Sequence, residues 1–165
     1  MVNTASIAGL NPGSGPVYAA SKHAVVALSE ELFKTTKMVG LPVGVSVLCP
    51  GWVRTAIMDA DRNWPAGLGE SPSPALAADV LRPHYDRAIG EGTDPAAIAD
   101  VVAEAIASNR FWILPHPEWV ERAARRWHRI AEGLDPDPVD QVPGFPPATQ
   151  IASEIRAALP AAPTG

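Results

Sequence analysis

Val2-Asn3-Thr4-Ala5-Ser6-Ile7-Ala8-Gly9, the glycine- and proline-free run from Val17 to Met38, and Val43-Gly44-Val45-Ser46-Val47-Leu48 ahead of Pro50-Gly51 decide the fold. The first stretch is short, apolar and β-branched, the composition of a buried strand leading into a loop over residues 2–8. Asn11-Pro12-Gly13-Ser14-Gly15-Pro16 is turn chemistry. After it, Val17, Ala20, Ala24, Leu28, Leu32 and Phe33 recur at helical spacing. A helix over 17–38 would be about 30 Å long at 1.5 Å per residue, enough to run along a sheet. Gly40 suits the left-handed position that closes it, and the valines that follow predict a second strand stopping at Pro50. Strand, long helix, strand is a βαβ unit, whose right-handed crossover makes the strands parallel and calls for helices on both faces.

Outward from that unit, residues 52–92 show no clear periodicity, carry Pro65, Pro72, Pro74 and Pro83, and read as an irregular lid over a binding site. Asp94 caps and Pro95 opens a helix with Ile98, Val101, Val102, Ala105 and Ile106 on one stripe. Phe111-Trp112-Ile113-Leu114 predicts a third strand, and Trp119, Ala123, Trp127 and Ile130 the inward stripe of a last helix. Seven of the 18 prolines fall after Glu132. Residues 1–132 are therefore expected to form a folded body and 133–165 a proline-rich tail, extended or partly disordered, in which Ile151–Leu159 has the makings of one short helix. The expected class is α/β: a partial, doubly wound parallel sheet of three strands with covering helices, in one domain.

The charge balance excludes whole classes of partner. Thirteen Lys and Arg against 18 Asp and Glu leave a net charge of -5, a field that repels nucleic-acid phosphates and anionic membranes. Arg122, Arg125, Arg126 and Arg129 are a local exception, interleaved with Glu118, Glu121 and Glu132 and best read as a solvated helix face. Met38–Val53 is the longest uncharged stretch, too short and too broken by Gly and Pro to span a bilayer. Lone Cys49 allows neither an internal disulfide nor a thiolate metal cage, which fits a reducing, cytoplasmic setting. His84, His116 and His128 lack metal-ligand spacing and read as solvated or capping residues; no metal is expected.

Chemistry concentrates at one edge. In Tyr18-Ala19-Ala20-Ser21-Lys22 a phenol and an ammonium stand four positions apart on one helix face. A neighbouring cation favours the phenolate, although bringing a phenol from about 10 to neutrality takes about 4 kcal/mol, more than one exposed lysine supplies. Ser6 ends the first strand twelve residues earlier, and Cys49-Pro50-Gly51-Trp52-Val53-Arg54-Thr55 ends the next. Ligands in open α/β sheets bind outside the carboxyl ends of strands, where all three segments converge. A serine hydrolase is rejected, because no Gly-x-Ser-x-Gly elbow exists and no acid is placed near His23.

Asn3-Thr4-Ala5-Ser6-Ile7-Ala8-Gly9, Tyr18-Ala19-Ala20-Ser21-Lys22 and Pro50-Gly51-Trp52-Val53-Arg54-Thr55, in this order and spacing, resemble the short-chain dehydrogenase/reductase family over residues 1 to about 118. The resemblance implies hydride transfer between NAD or NADP and a small alcohol or ketone. It makes Ser6 the hydrogen-bond donor to the substrate oxygen, Tyr18 the general acid/base, and Lys22 the residue that holds the nicotinamide ribose and lowers the Tyr18 pKa. Pro50, Gly51, Val53 and Thr55 would border the nicotinamide and pyrophosphate, and the 17–38 helix would serve a homo-oligomer. Trp52, Trp64 and Tyr85 are candidates for lining the substrate pocket.

Family members open with a glycine-rich phosphate loop and an Asn-Asn-Ala-Gly strand that do not precede Met1 here. Gly9-Leu10-Asn11-Pro12-Gly13-Ser14-Gly15 matches the glycine pattern, but Pro12 and Pro16 remove donors and no acid ends a following strand, so it reads as a plain connection. The chain is therefore expected to be the C-terminal portion of such an enzyme, lacking the N-terminal cofactor-binding half and inactive alone. The alternative is a non-catalytic oligomerisation or regulatory remnant that keeps Tyr18 and Lys22 by descent.

Overall fold

The computed structural model describes residues 1–13, 15–70, 76–138 and 141–159. Ser14 of the glycine run, Pro72 and Pro74 of the expected lid, and the tail beyond Leu159 lie outside them. The chain divides into two compact units: Met1–Val53 with Thr93–Pro138, and Arg54–Gly92 with Val139–Gly165.

The first unit is the βαβ body. Strands β1 (Val2–Thr4), β2 (Ser46–Leu48) and β3 (Trp112–Ile113) form one parallel sheet in the order β1-β2-β3, with Val2 opposite Ser46, and Val47 opposite both Asn3 and Trp112. Between β1 and β2 runs α1 (Pro16–Met38), closed by Gly40 at φ 68°, where the missing Cβ permits the left-handed turn. Period-two alternation sends β2 side chains to opposite faces. Val47 and Cys49 join Ala5 and Val26 of α1 on one side; Leu48 and Ile113 join Ile98 and Ala105 of α3 (Pro95–Ala107) on the other. Those are the two covered faces of a doubly wound sheet. Asp94 caps α3 by accepting from the Ala96 amide at 2.8 Å. Asn3 Nδ2 donates to fully buried Ser29 Oγ at 3.0 Å, tying β1 to α1.

β1 is shorter than the expected strand over residues 2–8. Ser6 turns the chain into a 3-10 turn over Ile7–Gly9 by accepting from the Ala8 amide at 3.2 Å. The approach of α1 requires this turn, since a Cβ on Gly9 would lie 2.6 Å from the Lys22 carbonyl oxygen and 2.9 Å from Val26 Cγ2. The last helix of the body, α4 (Pro117–Ala131), also departs from its expected stripe. Trp119 and Ala123 are buried, but Trp127 is 58 % exposed, while Arg122 is 5 % exposed and stacks on Trp119 at 5.1 Å. A guanidinium held over an indole ring is attracted by the ring's negative face while its carbon stem packs on apolar surface, so one arginine of the supposed solvated face belongs to the interior.

The second unit contains the expected irregular lid and the tail. Two 3-10 segments, Ile57–Asn63 and Ala66–Leu68, precede α2 (Leu76–Gly90), a helix that the sequence pattern did not reveal, and α5 (Ala148–Ala158) packs on it. Tyr85 meets Phe145 edge-on at 4.9 Å, and His84 Nε2 donates to Glu154 Oε2 at 2.6 Å. Arg82 bridges Asp86 and Asp59 at 2.8 and 3.0 Å. His84 is thus a hydrogen-bond partner inside the unit and not a solvated residue.

Candidate active site

The carboxyl edge of the sheet collects the chemistry of the first unit. Tyr18 lies in the first turn of α1, 38 % exposed. Lys22, one turn on, holds its Nζ 5.6 Å from the centre of the Tyr18 ring and donates to the Thr4 carbonyl, the last of β1, at 3.4 Å. One ammonium therefore links the phenol to the strand tip that delivers Ser6. Buried Ser6 Oγ accepts the Ala8 amide with one lone pair, which leaves its own O–H to donate elsewhere. His23 donates its Nδ1–H to the carbonyl of Ala19 on its own helix at 2.9 Å, and its Nε2 is buried with no hydrogen-bond partner among the described residues.

The segment after β2 is fixed to this edge from three sides. The Ile7 amide donates to Pro50 O at 2.9 Å, the Gly51 amide to His116 Nδ1 at 3.0 Å, and the Thr93 amide to Trp52 O at 3.0 Å, while Val53 bridges Thr93. Gly51 packs against Trp119, where a Cβ would lie 2.5 Å from the indole Nε1, and Trp52 meets Trp119 edge-on at 5.5 Å. Cys49 lies beneath. Burial pushes its thiol up to about 12, against the lowering effects of the Ser6 backbone N–H and of Lys22. It is a packing residue, not a nucleophile.

The structure thus gathers Ser6, Lys22, Pro50 and Gly51 around the tips of β1 and β2, with Tyr18 held through Lys22, and it keeps Trp52 and Val53 on the same turn. Thr55, Trp64 and Tyr85 belong to the second unit. There the Trp64 Nε1 donates to Gly69 O at 3.0 Å, and burial raises the Tyr85 phenol above its ordinary range. His116 and Thr93 are the residues of this edge that sequence reasoning missed. Expected to be solvated or capping, His116 is buried at the start of α4, caps nothing with its side chain, and spends both ring nitrogens within the body. Its partner at Gly51 is 65 residues away, a pairing that no local pattern signals. Among the described residues no three His, Cys, Asp or Glu side chains gather as a metal site, and no helix is long and apolar enough to cross a membrane. A cavity of about 430 Å³ opens at the opposite, amino-terminal edge beside Met1, Lys37 and Ile106. The strand-tip rule favours the carboxyl edge as the place for chemistry.

A parallel sheet covered on both faces, with a phenol, an ammonium and a serine hydroxyl toward its strand tips, is a Rossmann-like arrangement. Comparison with known proteins agrees. Residues 1–66 match the family model described as short chain dehydrogenase. The chain is 33 % identical over 142 residues to a CLA biosynthesis dehydrogenase/reductase of Lactiplantibacillus plantarum, covering 83 % of this chain and 49 % of that one. It is 36 % identical over 61 residues to the 15-hydroxyprostaglandin dehydrogenase [NAD(+)] of Rattus norvegicus, covering 36 % of this chain and 23 % of that one. A crystal structure of a short-chain dehydrogenase/reductase from Burkholderia phymatum in complex with NAD superposes with a TM-score of 0.77 at 39 % identity, covering 85 % of this chain and 51 % of that one. The chain belongs to the short-chain dehydrogenase/reductase family. It spans about half the length, or less, of these relatives.

Proposed function

We propose that these 165 residues carry the nicotinamide-facing half of an NAD(P)-dependent oxidoreductase acting on a small alcohol or ketone. The observation that carries the reading is the position of Lys22 Nζ between the Tyr18 ring and the Thr4 carbonyl. An ammonium has three donors, and only the one to Thr4 is used among the described residues. The rest suit the two hydroxyls of a ribose. The bent Pro50–Val53 backbone would border the nicotinamide and pyrophosphate, with Trp52 on the substrate side.

When bound, the nicotinamide supplies the hydride chemistry. The protein's part is proton transfer and charge stabilisation. Tyr18 gives its phenolic proton to the carbonyl oxygen in reduction and recovers it in oxidation. Ser6 O–H donates to the same substrate oxygen while the Ala8 amide holds its Oγ in place, so the donor is oriented before charge develops. Exposed Val17, Leu28 and Met38 on α1 suit a homo-oligomeric contact, and the buried free thiol of Cys49 suits a cytoplasmic setting.

We assign no segment among the described residues to the adenosine-phosphate side of the cofactor. The one glycine-rich run passes through the turn over Ile7–Gly9, where Gly9 serves the packing of α1 and Pro12 and Pro16 offer no amide. The 165-residue chain by itself is therefore expected to show no saturable NAD(H) or NADP(H) binding at micromolar concentration, and a calorimetric isotherm in that range would overturn this part. In a preparation that turns over a carbonyl substrate with either cofactor, Tyr18→Phe is expected to cut kcat by about a hundredfold to ten-thousandfold and spare cofactor affinity. Unchanged turnover rejects Tyr18 as the acid.

A further inference from the structure

His116 sits among residues that the proposed reaction leaves unused, and its bonding is fully determined. A backbone amide only donates, so the Gly51 N–H at 3.0 Å requires an unprotonated Nδ1 on His116. The imidazole then carries its proton on Nε2, which donates to Thr93 Oγ1 at 3.0 Å. The ring is 8 % exposed, so no bulk water substitutes for either partner. Thr93 in turn donates its amide to Trp52 O and bridges Val53. Imidazole and threonine together therefore grip both ends of the Pro50–Val53 turn: Gly51 at its start, Trp52 and Val53 at its end. Pro50 O is tied to Ile7, next to Ser6. The Gly51 amide and the Pro50 carbonyl are thus consumed internally, and the turn offers a ligand its shape and not those two polar atoms.

We propose that His116 is a positioning residue: its Nε2-protonated, neutral imidazole sets the conformation of the Pro50–Val53 turn so that the turn accepts a nicotinamide ring. This rests on the reading of that edge as the nicotinamide site. Phe at 116 keeps a ring of similar size and removes the acceptor, leaving the buried Gly51 amide unpaired. Asn keeps an acceptor, Oδ1, close to where Nδ1 stands.

The test is titration of the 165-residue chain with nicotinamide mononucleotide, the nicotinamide-ribose half of the cofactor, read by the amide signals of Gly51 and Val53 and by Trp52 fluorescence. Nitrogen NMR of His116 reports the tautomer in parallel. The wild type is expected to bind in roughly the millimolar range, weaker than the micromolar range excluded above for the whole cofactor, and to show the Nε2-protonated form. His116→Phe is expected to weaken binding about tenfold, the effect of leaving one buried donor unpaired, while His116→Asn stays within about threefold of wild type. Equal binding by all three overturns the positioning role and leaves the nicotinamide site standing. Equal losses in Phe and Asn variants also overturn it, because bulk and not the acceptor would then matter. Absence of binding by the wild type rejects the nicotinamide site and this proposal with it. Should His116→Phe not fold, Thr93→Val removes only the Nε2 acceptor; with the buried Nε2–H left unpaired it is expected to loosen the turn and weaken binding, and unchanged affinity overturns the proposal.

Discussion

Within the first unit Val45, Val47, Cys49 and Ile113 are at most 1 % exposed, and each lies in or beside a strand of the parallel sheet. Within the second, the buried apolar side chains among the described residues are Ala88 and Ile89 alone. What holds that unit is side-chain pairing: Arg82 with Asp86 and Asp59, His84 with Glu154, Tyr85 with Phe145. Apolar burial is worth about 25 cal/mol per Å², whereas an exposed ion pair is worth about 0–1 kcal/mol. The body is therefore expected to be the stable part of the chain. The second unit is expected to open with far less free energy.

The sharpest way to break this contrast is to damage both units alike and compare. Ile113→Ala removes a fully buried side chain from the middle of one core face and is expected to cost about 2–5 kcal/mol. The loss should appear as faster amide exchange throughout β2 and α3. A cost below about 1 kcal/mol would mean that the sheet is not the stable part. Phe145→Ala, by comparison, removes a half-buried ring and one edge-to-face partner of Tyr85, and is expected to cost about 1–2 kcal/mol, seen in the exchange of α2 and α5. Should Phe145→Ala prove the more damaging, the aromatic contact outweighs its exposure and the contrast fails.

The same difference in physics explains what could be read from the chain beforehand. The βαβ body was legible because its cores obey a period: Val47 and Cys49 on one face of β2, Leu48 on the other, and Ile98 and Ala105 at helical spacing on α3. The common edge of Ser6, Tyr18, Lys22 and Pro50–Gly51 was legible because Ser6 and Pro50–Gly51 follow the two strands and Tyr18 and Lys22 stand one turn apart near the start of α1. α2 was not, since Pro83 sits inside it and its contacts to α5 come from side chains about 60–70 residues apart, such as His84 with Glu154. Interior proline deletes one helical hydrogen bond and costs about 3 kcal/mol, so a local reading rightly counted it against a helix. Arg122 failed differently: charge placed it outside, whereas the structure buries it with its guanidinium over the Trp119 ring. His116 was hidden by distance along the chain.

The smallest expected effect sharpens the contrast most, because it touches the second unit alone. Hydrogen bonds from Gln150 and His84, with the His84 charge adding to them, hold the Glu154 carboxyl below its ordinary value of 4.5. An acid whose pKa is lowered by folding stabilises the folded form above its unfolded value and loses that contribution as pH falls through the folded one. Contact between α2 and α5 is therefore expected to be intact at neutral pH and to loosen below pH 4.5. The readout is the Tyr85 and Phe145 ring signals followed by NMR down to pH 3, with Ile113 as the reference in the body. Glu154→Gln should flatten the titration while leaving the Ile113 methyl signals where they were. If the aromatic signals stay constant across that range in the wild type, or move together with those of Ile113, then the carboxylate does not hold α5 in place and the two units do not differ in the way argued here.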